Sequence, residues 1–440
     1  MILLLVLFQL AAPVYGAAGS DSAAGSHVDP HTIDLARAVA IATRSAVDVE
    51  TASIQVERAS TLLKSRQQAF LPDLSLSVSG TASVSRTFSE GLSQSVTSPG
   101  VGGTARVMST LPLYSGGALH ANVSSAQQGL RSTEATLERT RQDLQYVLAS
   151  GLLDVAEARG SVALAEAVLA AEQTLRARIA AYVDAGSRTR ADLLQQDAAI
   201  ANAEQDLVSA RSQLARAELT LVQVLRLDPT QAWTFVPPDG VPDGIGTNPT
   251  ARTGTNPTAR DDVQAAEAAV QAASADVRAA QATALPSAGV ALGASTSWLS
   301  TDATPVPSQL RDQAQAWATV ELDVPIFDRG LARNAVANAQ SSERAARLEL
   351  AARQEAVATD QAAARISDEA ARAAVTAAAR HRDAAAAASA VIEQRYEAGA
   401  ASLSELSAVH AEAAAAERDV LIANIAVRRA TFEQAWAMGE

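Results

Sequence analysis

The chain has no cysteine, which excludes a disulfide framework, a thiolate zinc site, a catalytic thiol and a lipid-modified cysteine anchor. Aromatic residues make up only 3% of it, although hydrophobic residues make up 48%. Enzyme cores normally take their bulk from Phe, Tyr and Trp. Here the apolar content is mostly Ala, with Leu and Val. Ala is the strongest helix former and buries little surface per residue. Such a composition favours long, thin, closely spaced helices over a thick core. Positive charge is also scarce. The net charge of −13 argues against a phosphate backbone as partner, so no nucleic acid is expected. The acidity fits either solvated helix faces or an acidic pore.

Long apolar runs are missing beyond the first residues. Met1 to Leu10 is apolar, and Ala11-Ala12-Pro13-Val14-Tyr15-Gly16-Ala17-Ala18 supplies small residues for signal-peptidase cleavage after Gly16 or Ala18. A signal peptide is expected over 1–18 and a leader over 19–30, although no Lys or Arg precedes the apolar run. The run is too short to span a bilayer, and no later stretch of ~18 apolar residues occurs. An exported chain of this kind enters a membrane only through β-strands.

What the sequence does contain is itself, twice. Leu71-Pro72 recurs as Leu285-Pro286, offset by 214 residues. Leu111-Pro112-Leu113-Tyr114-Ser115-Gly116-Gly117 recurs as Val324-Pro325-Ile326-Phe327-Asp328-Arg329-Gly330, offset by 213. Asp184-Ala185-Gly186 recurs as Glu397-Ala398-Gly399, again offset by 213. Three landmarks in one order at nearly one offset mark an old duplication. The expected organisation is a first repeat over 31–229, a linker over 230–260 and a second repeat over 261–440. The linker carries a tandem copy, Gly-Thr-Asn-Pro-Thr-Ala-Arg, ending at Arg252 and at Arg260.

Each repeat predicts helices of unequal length. Thr32 to about Ala69 reads as one helix, with Ile33, Ala36, Ala40 and Val47 at a 3.6 period and Thr32 as its cap. About Ala118 to Ala185 holds no Pro, and at 1.5 Å per residue would span ~100 Å. Gly186 marks a turn and Arg190 to Arg226 returns. In the second half Asp261 to Ala284, Leu331 to Ala398 and Ser402 to Met438 repeat the scheme, with the turn at Gly399. Each long helix is then covered by two shorter ones. Helices of this length need neighbours along their whole extent, in a bundle or a tube.

Between the helices lie strands of alternating character. Leu74, Leu76, Val78, Ala82 and Val84 share one face of a strand, and Ser75, Ser77, Ser79, Thr81, Ser83 and Ser85 the other. Its partner places Ala105, Val107, Leu111 and Leu113 against Arg106, Met108 and Thr110. In the second half Ala288, Val290, Leu292, Ala294 and Trp298 share a face. There, Ala318, Val320, Leu322 and Val324 oppose Trp317, Thr319, Glu321 and Asp323. Strands are expected at about 73–86, 103–114, 287–299 and 314–327, with long polar loops over 86–103 and 299–313. Period-2 alternation suits a barrel wall with lipid outside and water inside, and suits a soluble sheet packed on helices equally well. On the barrel reading, Arg106, Glu321 and Asp323 line a wet lumen. Four strands cannot close a barrel, for which about eight is the minimum. A membrane-spanning version must therefore oligomerise, as a dimer with eight strands or a trimer with twelve.

Taken in order, these features resemble the TolC-like outer-membrane efflux protein family (outer membrane factors), from about His31 to Met438. Pro325-Ile326-Phe327-Asp328-Arg329-Gly330 and Tyr396-Glu397-Ala398-Gly399 are the most specific pieces. The resemblance implies an α+β membrane protein in the outer membrane of a Gram-negative bacterium. Its duplicated helical hairpins would form a periplasmic α-barrel, and its four strands would join a homotrimeric transmembrane β-barrel of twelve strands in outer-membrane lipid. It implies partners, a periplasmic adaptor (membrane fusion protein) and an inner-membrane transporter, and a passive exit duct without catalysis.

The resemblance also assigns a working end. Gly186 and Gly399 correspond to the periplasmic tip turns where the adaptor docks. Asp192-Leu193-Leu194 and Glu405-Leu406 match the acid and aliphatic residues that follow each turn. Asp192, Tyr396 and Glu405 correspond to a gate in which tip acids bond to the tyrosine across neighbouring helices. The family's arginine two residues past the second Gly is absent: Ala401 stands there, and Arg188 holds that offset in the first copy. Near the threefold axis such acids would attract cations. As residues of a helix's first turn they would instead offset the macrodipole.

No catalytic, metal or cofactor site is expected. His27, His31, His120, His381 and His410 are scattered, and Pro30 separates the closest pair. Gly100-Val101-Gly102-Gly103 sits between strands and is not a phosphate loop. The competing reading, a soluble periplasmic coiled-coil adaptor or spacer, would show one hairpin flanked by β-rich domains rather than two full repeats.

Overall fold

The structure is a computed structural model and describes residues 31–89, 91, 94–238, 260–299 and 305–439. The expected signal peptide and leader, and both tandem copies in the linker except Arg260, lie outside the described residues. No described helix is long and apolar enough to cross a membrane.

The described residues begin with a two-residue strand, β1 (Thr32–Ile33), which pairs in parallel with β4 (Thr234–Phe235), within the stretch expected as linker. Thr32 is thereby committed to a sheet and does not cap a helix. Asp34 does, accepting from the Arg37 N–H at 2.8 Å. The single helix expected over 32–69 is two helices, α1 (Leu35–Ser45) and α2 (Val47–Gln68). Ala46 between them is extended, at φ −69° and ψ 129°. Ser45 turns its hydroxyl back to the Ile41 carbonyl at the break, a bond that competes with the helix ladder.

The four long helices match across the repeats. α3 (Ala118–Asp184) and α7 (Leu331–Glu397) have 67 residues each. α4 (Arg190–Leu225) and α8 (Leu403–Met438) have 36 each. α5 (Asp261–Ala282) is the counterpart of α2, with 22 residues in each. At 67 residues α3 and α7 are ~100 Å long. α3 packs along α2, α4, α5 and α8, and α7 along α5 and α8.

Alanine decides how these helices meet. The buried residues of α7 include Val357, Ala364, Ala371, Ala378 and Ala385, at steps of seven. Ala416, Ala423, Ala430 and Ala437 repeat the step on α8. Gln196, Ala203 and Ala210 do so on α4, and Ala268, Ala275 and Ala282 on α5. A seven-residue seam is the coiled-coil pattern and imposes a left-handed supercoil. A seam of methyl groups brings the helix axes close and leaves little room for aromatic side chains. A thicker core forms at mid-length, where Leu148, Leu152 and Leu153 of α3 meet Leu221 and Leu225 of α4 and the β1–β4 residues Ile33 and Phe235.

The main sheet has the order β2-β3-β5-β6 and is antiparallel throughout. Its strands are β2 (Ser75–Ser89), β3 (Gln94–Ser115), β5 (Ser287–Leu299) and β6 (Gln315–Asp323). The first hairpin is longer than expected. The stretch 86–103, read as a polar loop, is largely strand, with Arg86 paired to Thr97 and Gly80 to Gly103. Pro99 and the glycines of 100–103 gave the loop signal. Pro99 lies beyond the last β3–β5 pair, Gly102 with Leu299, so one side of β3 is open there and a missing N–H is tolerated. Gly103 has a different reason: a Cβ at that position would stand 1.9 Å from the Trp298 ring, which lies across it.

Two further differences concern strand ends. β6 stops at Asp323, short of the 327 expected, because its partner β5 runs out at Ser287 after Pro286. A bulge between Pro112 and Tyr114 makes Leu113 the extra residue of β3, so Tyr114 takes the place opposite Ala288. The second loop contains a short helix, α6 (Val306–Asp312).

Candidate functional site

The helices end, away from the sheet, in two turns built alike. At the first, Gly186 has φ +75°. Its N–H donates to the Val183 carbonyl at 2.9 Å, and that of Ser187 donates to the Tyr182 carbonyl at 2.9 Å. At the second, Gly399 has φ +74°. Its N–H donates to the Tyr396 carbonyl at 3.0 Å, and that of Ala400 donates to the Arg395 carbonyl at 2.7 Å. Both are Schellman caps, which need a left-handed residue at this position, and glycine adopts it without strain.

The two acids start the returning helices. The Thr189 N–H donates to the Asp192 carboxylate at 3.1 Å, and the Asp192 N–H donates to the Thr189 hydroxyl at 3.3 Å. Ser402 and Glu405 make the same reciprocal pair at 2.9 Å and 3.2 Å. Each is a capping box, with Asp or Glu at the third helical position. Within one chain, the acids thus satisfy orphan N–H groups and offset the helix dipole. Asp192 is half-buried and Glu405 exposed.

The first turn is tied to the second by arginine. The Arg188 guanidinium lies 4.1 Å over the Tyr396 ring and donates to the Tyr396 carbonyl at 2.7 Å. Arg178 of α3 donates to Glu393 at 2.8 Å and to Glu397 at 3.4 Å on α7. Beneath them Leu175, Ile179, Tyr396, Ala401, Leu403 and Leu406 form an apolar cluster. Ala401, at the place of the family's arginine, is buried in it. Among the described residues the Tyr396 hydroxyl is buried with no hydrogen-bond partner. Burial pushes the phenol above its ordinary pKa, Arg188 opposes this, and the Asp192 charge adds to it. Asp192 and Tyr396 are thus brought together electrostatically without a hydrogen bond, while Glu405 serves the second cap. The Arg188–Tyr396 contact was hinted at by the offset of Arg188 alone; nothing in the sequence singled out Arg178.

A second polar cluster, missed in the sequence, sits at mid-length where α3, α5, α7 and α8 meet. The Arg260 side chain is 5% exposed and pairs with Asp262 at 2.6 Å and Asp360 at 2.9 Å. Arg139, 8% exposed, lies 4.4 Å over the Trp436 ring and donates to the Trp436 carbonyl at 3.0 Å. The Trp436 indole donates to Asp143 at 2.7 Å. Burial pushes the Arg139 guanidinium down; burial and Glu138 push the Asp261 carboxyl up. Burial would raise Asp262 too, but Arg260 outweighs it and holds that carboxylate below its ordinary range. Arg260-Asp261-Asp262, the first charged triplet after the linker, was the available signal.

At the other end, the sheet presents two unlike faces. Leu76, Val78, Val320 and Leu322 share one face and are exposed. Arg106, Glu321 and Asp323 share the opposite face with Trp317 and Thr319. They do not form one site. Arg106 pairs with Ser295, whereas Glu321 pairs with Gly289, six residues or ~20 Å along the strand. Asp328 forms the corner into α7, its carboxylate accepting from the Gly330 and Ala332 N–H groups at 2.9 Å and 2.7 Å. Among the described residues no three or more His, Asp or Glu side chains are placed to hold a metal ion.

Comparison with known proteins agrees with this geometry. The sequence matches the family described as outer membrane efflux protein over residues 39–225 and 258–433. It is 28% identical over 280 residues to the outer membrane efflux protein BepC of Brucella suis biovar 1 (strain 1330). That stretch is 62% of this chain and 58% of BepC, less than two thirds of the relative's length. The fold superimposes on CusC with a TM-score of 0.79 at 19% identity, covering 92% of each chain. It superimposes on the outer membrane protein VceC of Vibrio cholerae with a TM-score of 0.78 at 15% identity, covering 92% of this chain and 96% of that one.

Proposed function

This chain belongs to the outer membrane efflux protein family, and from that premise we propose that it is the outer-membrane exit duct of a tripartite efflux or type I secretion system. It sits in the outer membrane and extends into the periplasm. Substrates delivered by an inner-membrane transporter and a periplasmic adaptor leave through it passively. Three copies supply the twelve strands of one barrel, whose lumen carries Arg106, Glu321 and Asp323. The turns at Gly186 and Gly399 form the periplasmic tip, where the adaptor docks beside the exposed Leu194. Asp192, Tyr396 and Glu405 belong to the gate. The observation that carries this reading is an open four-stranded sheet, apolar on one face and charged on the other, joined to helices of ~100 Å. A sheet of that kind is incomplete in one chain and complete in a barrel wall.

The test is fractionation followed by an unheated gel and a planar-bilayer recording. The expected result is recovery with the outer membrane, a trimer band that collapses to monomer on heating, and conducting pores. Recovery as a soluble periplasmic monomer overturns the proposal.

A further inference from the structure

The outer sides of the two edge strands, β2 and β6, meet no further strand among the described residues. We infer that they pair with each other between copies, antiparallel, in the register that sets Thr319 opposite the partner's Thr81. This rests on the trimeric duct reading and deepens it by naming which residues meet.

The register comes from the duplication. Residues of β2 correspond to residues of β5 at an offset of 214, and residues of β3 to residues of β6 at 213. The structure obeys this mapping in both hairpins. Ser75 pairs with Met108 in the first, and the corresponding Gly289 and Glu321 pair in the second. The two hairpins meet inside the chain through β3 and β5. There Val107 pairs with Ala294 and Met108 with Gly293, so the residue numbers of each pair sum to 401 up to the bulge. Applying the same mapping to the junction between chains, β6 meets the next copy's β2 with numbers that sum to 400. Val320 then faces the partner's Gly80, Leu322 the partner's Val78, and Val324 the partner's Leu76.

Three observations support this arrangement. First, side-chain alternation matches: apolar meets apolar or glycine, and Thr319, Glu321 and Asp323 meet Thr or Ser. A slip of one residue would set every apolar side chain against a polar face. Secondly, the edges are barer than their internal counterparts. Leu76 is 69% exposed on β2, whereas its counterpart Val290 on β5 is only half-buried. Phe327 is 85% exposed, against 52% for its counterpart Tyr114, which has β5 beside it. Thirdly, the Val324-Pro325-Ile326-Phe327 tract becomes intelligible. Its counterpart in β3 pairs with β5 through a bulge at Leu113. By the same rule Ile326, 95% exposed in the single chain, is the bulged residue, and Phe327 pairs with the partner's Leu74. Pairing ends there, because the next pair would set Asp328 against the partner's Asp73.

The absence of cysteine makes the register directly testable. Thr81→Cys and Thr319→Cys are introduced together into the full chain. Within one chain these positions are on opposite edges, three strand spacings or ~14 Å across the sheet and eight residues or ~26 Å along it, too far for a disulfide. The trimer in outer membranes is oxidised, denatured and run without reductant. The expected result is a covalent ladder of dimer and trimer. The pairs Thr319→Cys with Ser79→Cys or Ser83→Cys, displaced by two residues or ~7 Å, should link at least about tenfold less. Glu321→Cys with Ser79→Cys, in the inferred register, is a second variant should the first assemble poorly. Strongest linking at a displaced pair overturns the register while trimer and duct stand. An intact trimer with no linking at any pair overturns edge pairing. A monomer in the unaltered protein's membranes defeats the duct reading itself.

Discussion

Replacing Asp192 by Asn and Glu405 by Gln separates two roles that the structure superimposes. Both acids close capping boxes, and Gln serves the third helical position of such a box nearly as well as Glu. The Asn/Gln pair therefore removes two charges per chain while keeping a side chain that accepts from the Thr189 and Ser402 N–H groups. The Ala pair removes the charge and the carboxylate half of each box together, while the Thr189 and Ser402 hydroxyls still accept from the N–H of residues 192 and 405. In the proposed threefold mouth six carboxylates would approach one axis. Two charges ~10 Å apart repel by roughly 0.4–1.7 kcal/mol between the dielectric of water and that of a protein surface. A potential of about 1 kcal/mol enriches a monovalent cation roughly fivefold. The Asn/Gln variant should therefore show raised single-channel conductance and a several-fold loss of cation preference, with stability lowered only by the dipole contribution of about 0.3–1 kcal/mol per helix. The Ala variant should show the same electrical change plus the loss of the two bonds from the Thr189 and Ser402 N–H groups. Bilayer recordings under a salt gradient, beside thermal unfolding of the same samples, make the comparison. Wild-type conductance and selectivity in the Asn/Gln pair would refute the gate and leave the acids as caps.

Three other outcomes are expected. Gly186→Ala and Gly399→Ala should each destabilise by about 1–2 kcal/mol through left-handed backbone alone, since a Cβ at either site meets nothing within 4 Å; thermal unfolding reads this, and no loss would be contrary evidence. A double-mutant cycle of Arg188→Ala with Tyr396→Leu should give a coupling of about 0.5–2 kcal/mol between the turns, and zero coupling would remove arginine as their tie. Arg260→Ala strands two acids in a junction where its own side chain is 5% exposed, and should cost about 3–5 kcal/mol in chemical unfolding at neutral pH. Arg260 depresses Asp262, so that share of stability is present above the carboxyl's unfolded value and is lost as pH falls through the lower folded value. The gap between wild type and variant should therefore narrow in acid; a constant gap would contradict the pairing.

Much of this was legible in the residues. Long helices without Pro, the two glycine turns and the alternating strands each carry a local signal, and the duplication reinforced each by stating it twice. The differences lie where tertiary pairing outvoted local signals. Pro99 and Gly103 read as loop because such residues usually break strands, yet one has an open edge and the other lies under a tryptophan. Thr32 read as a cap because nothing local reveals that Thr234 stands beside it. The alanine seams escaped the sequence reading because alanine's abundance puts the same residue at many other positions, which hides the seven-residue step. At the candidate site, position along the chain located both turns and both acids. It did not show that the acids are held by their own helix starts, nor that Arg188 reaches the second turn.

The equality of the paired helices, 67 with 67 and 36 with 36 residues, governs how such a gene is able to change. Inserting one codon into α3 would rotate everything beyond it by ~100° and advance its turn by 1.5 Å relative to its twin. Buried residues of α3 beyond the insertion, such as Leu175 and Ile179, would then face away from their neighbours. Equal lengths keep the two turns level, so an insertion in one shaft requires a matching insertion in its twin to restore that level. The Gly-Thr-Asn-Pro-Thr-Ala-Arg copy falls in the linker between the halves, where a gain of residues alters neither ruler, and it ends on Arg260, leaving that anchor in place.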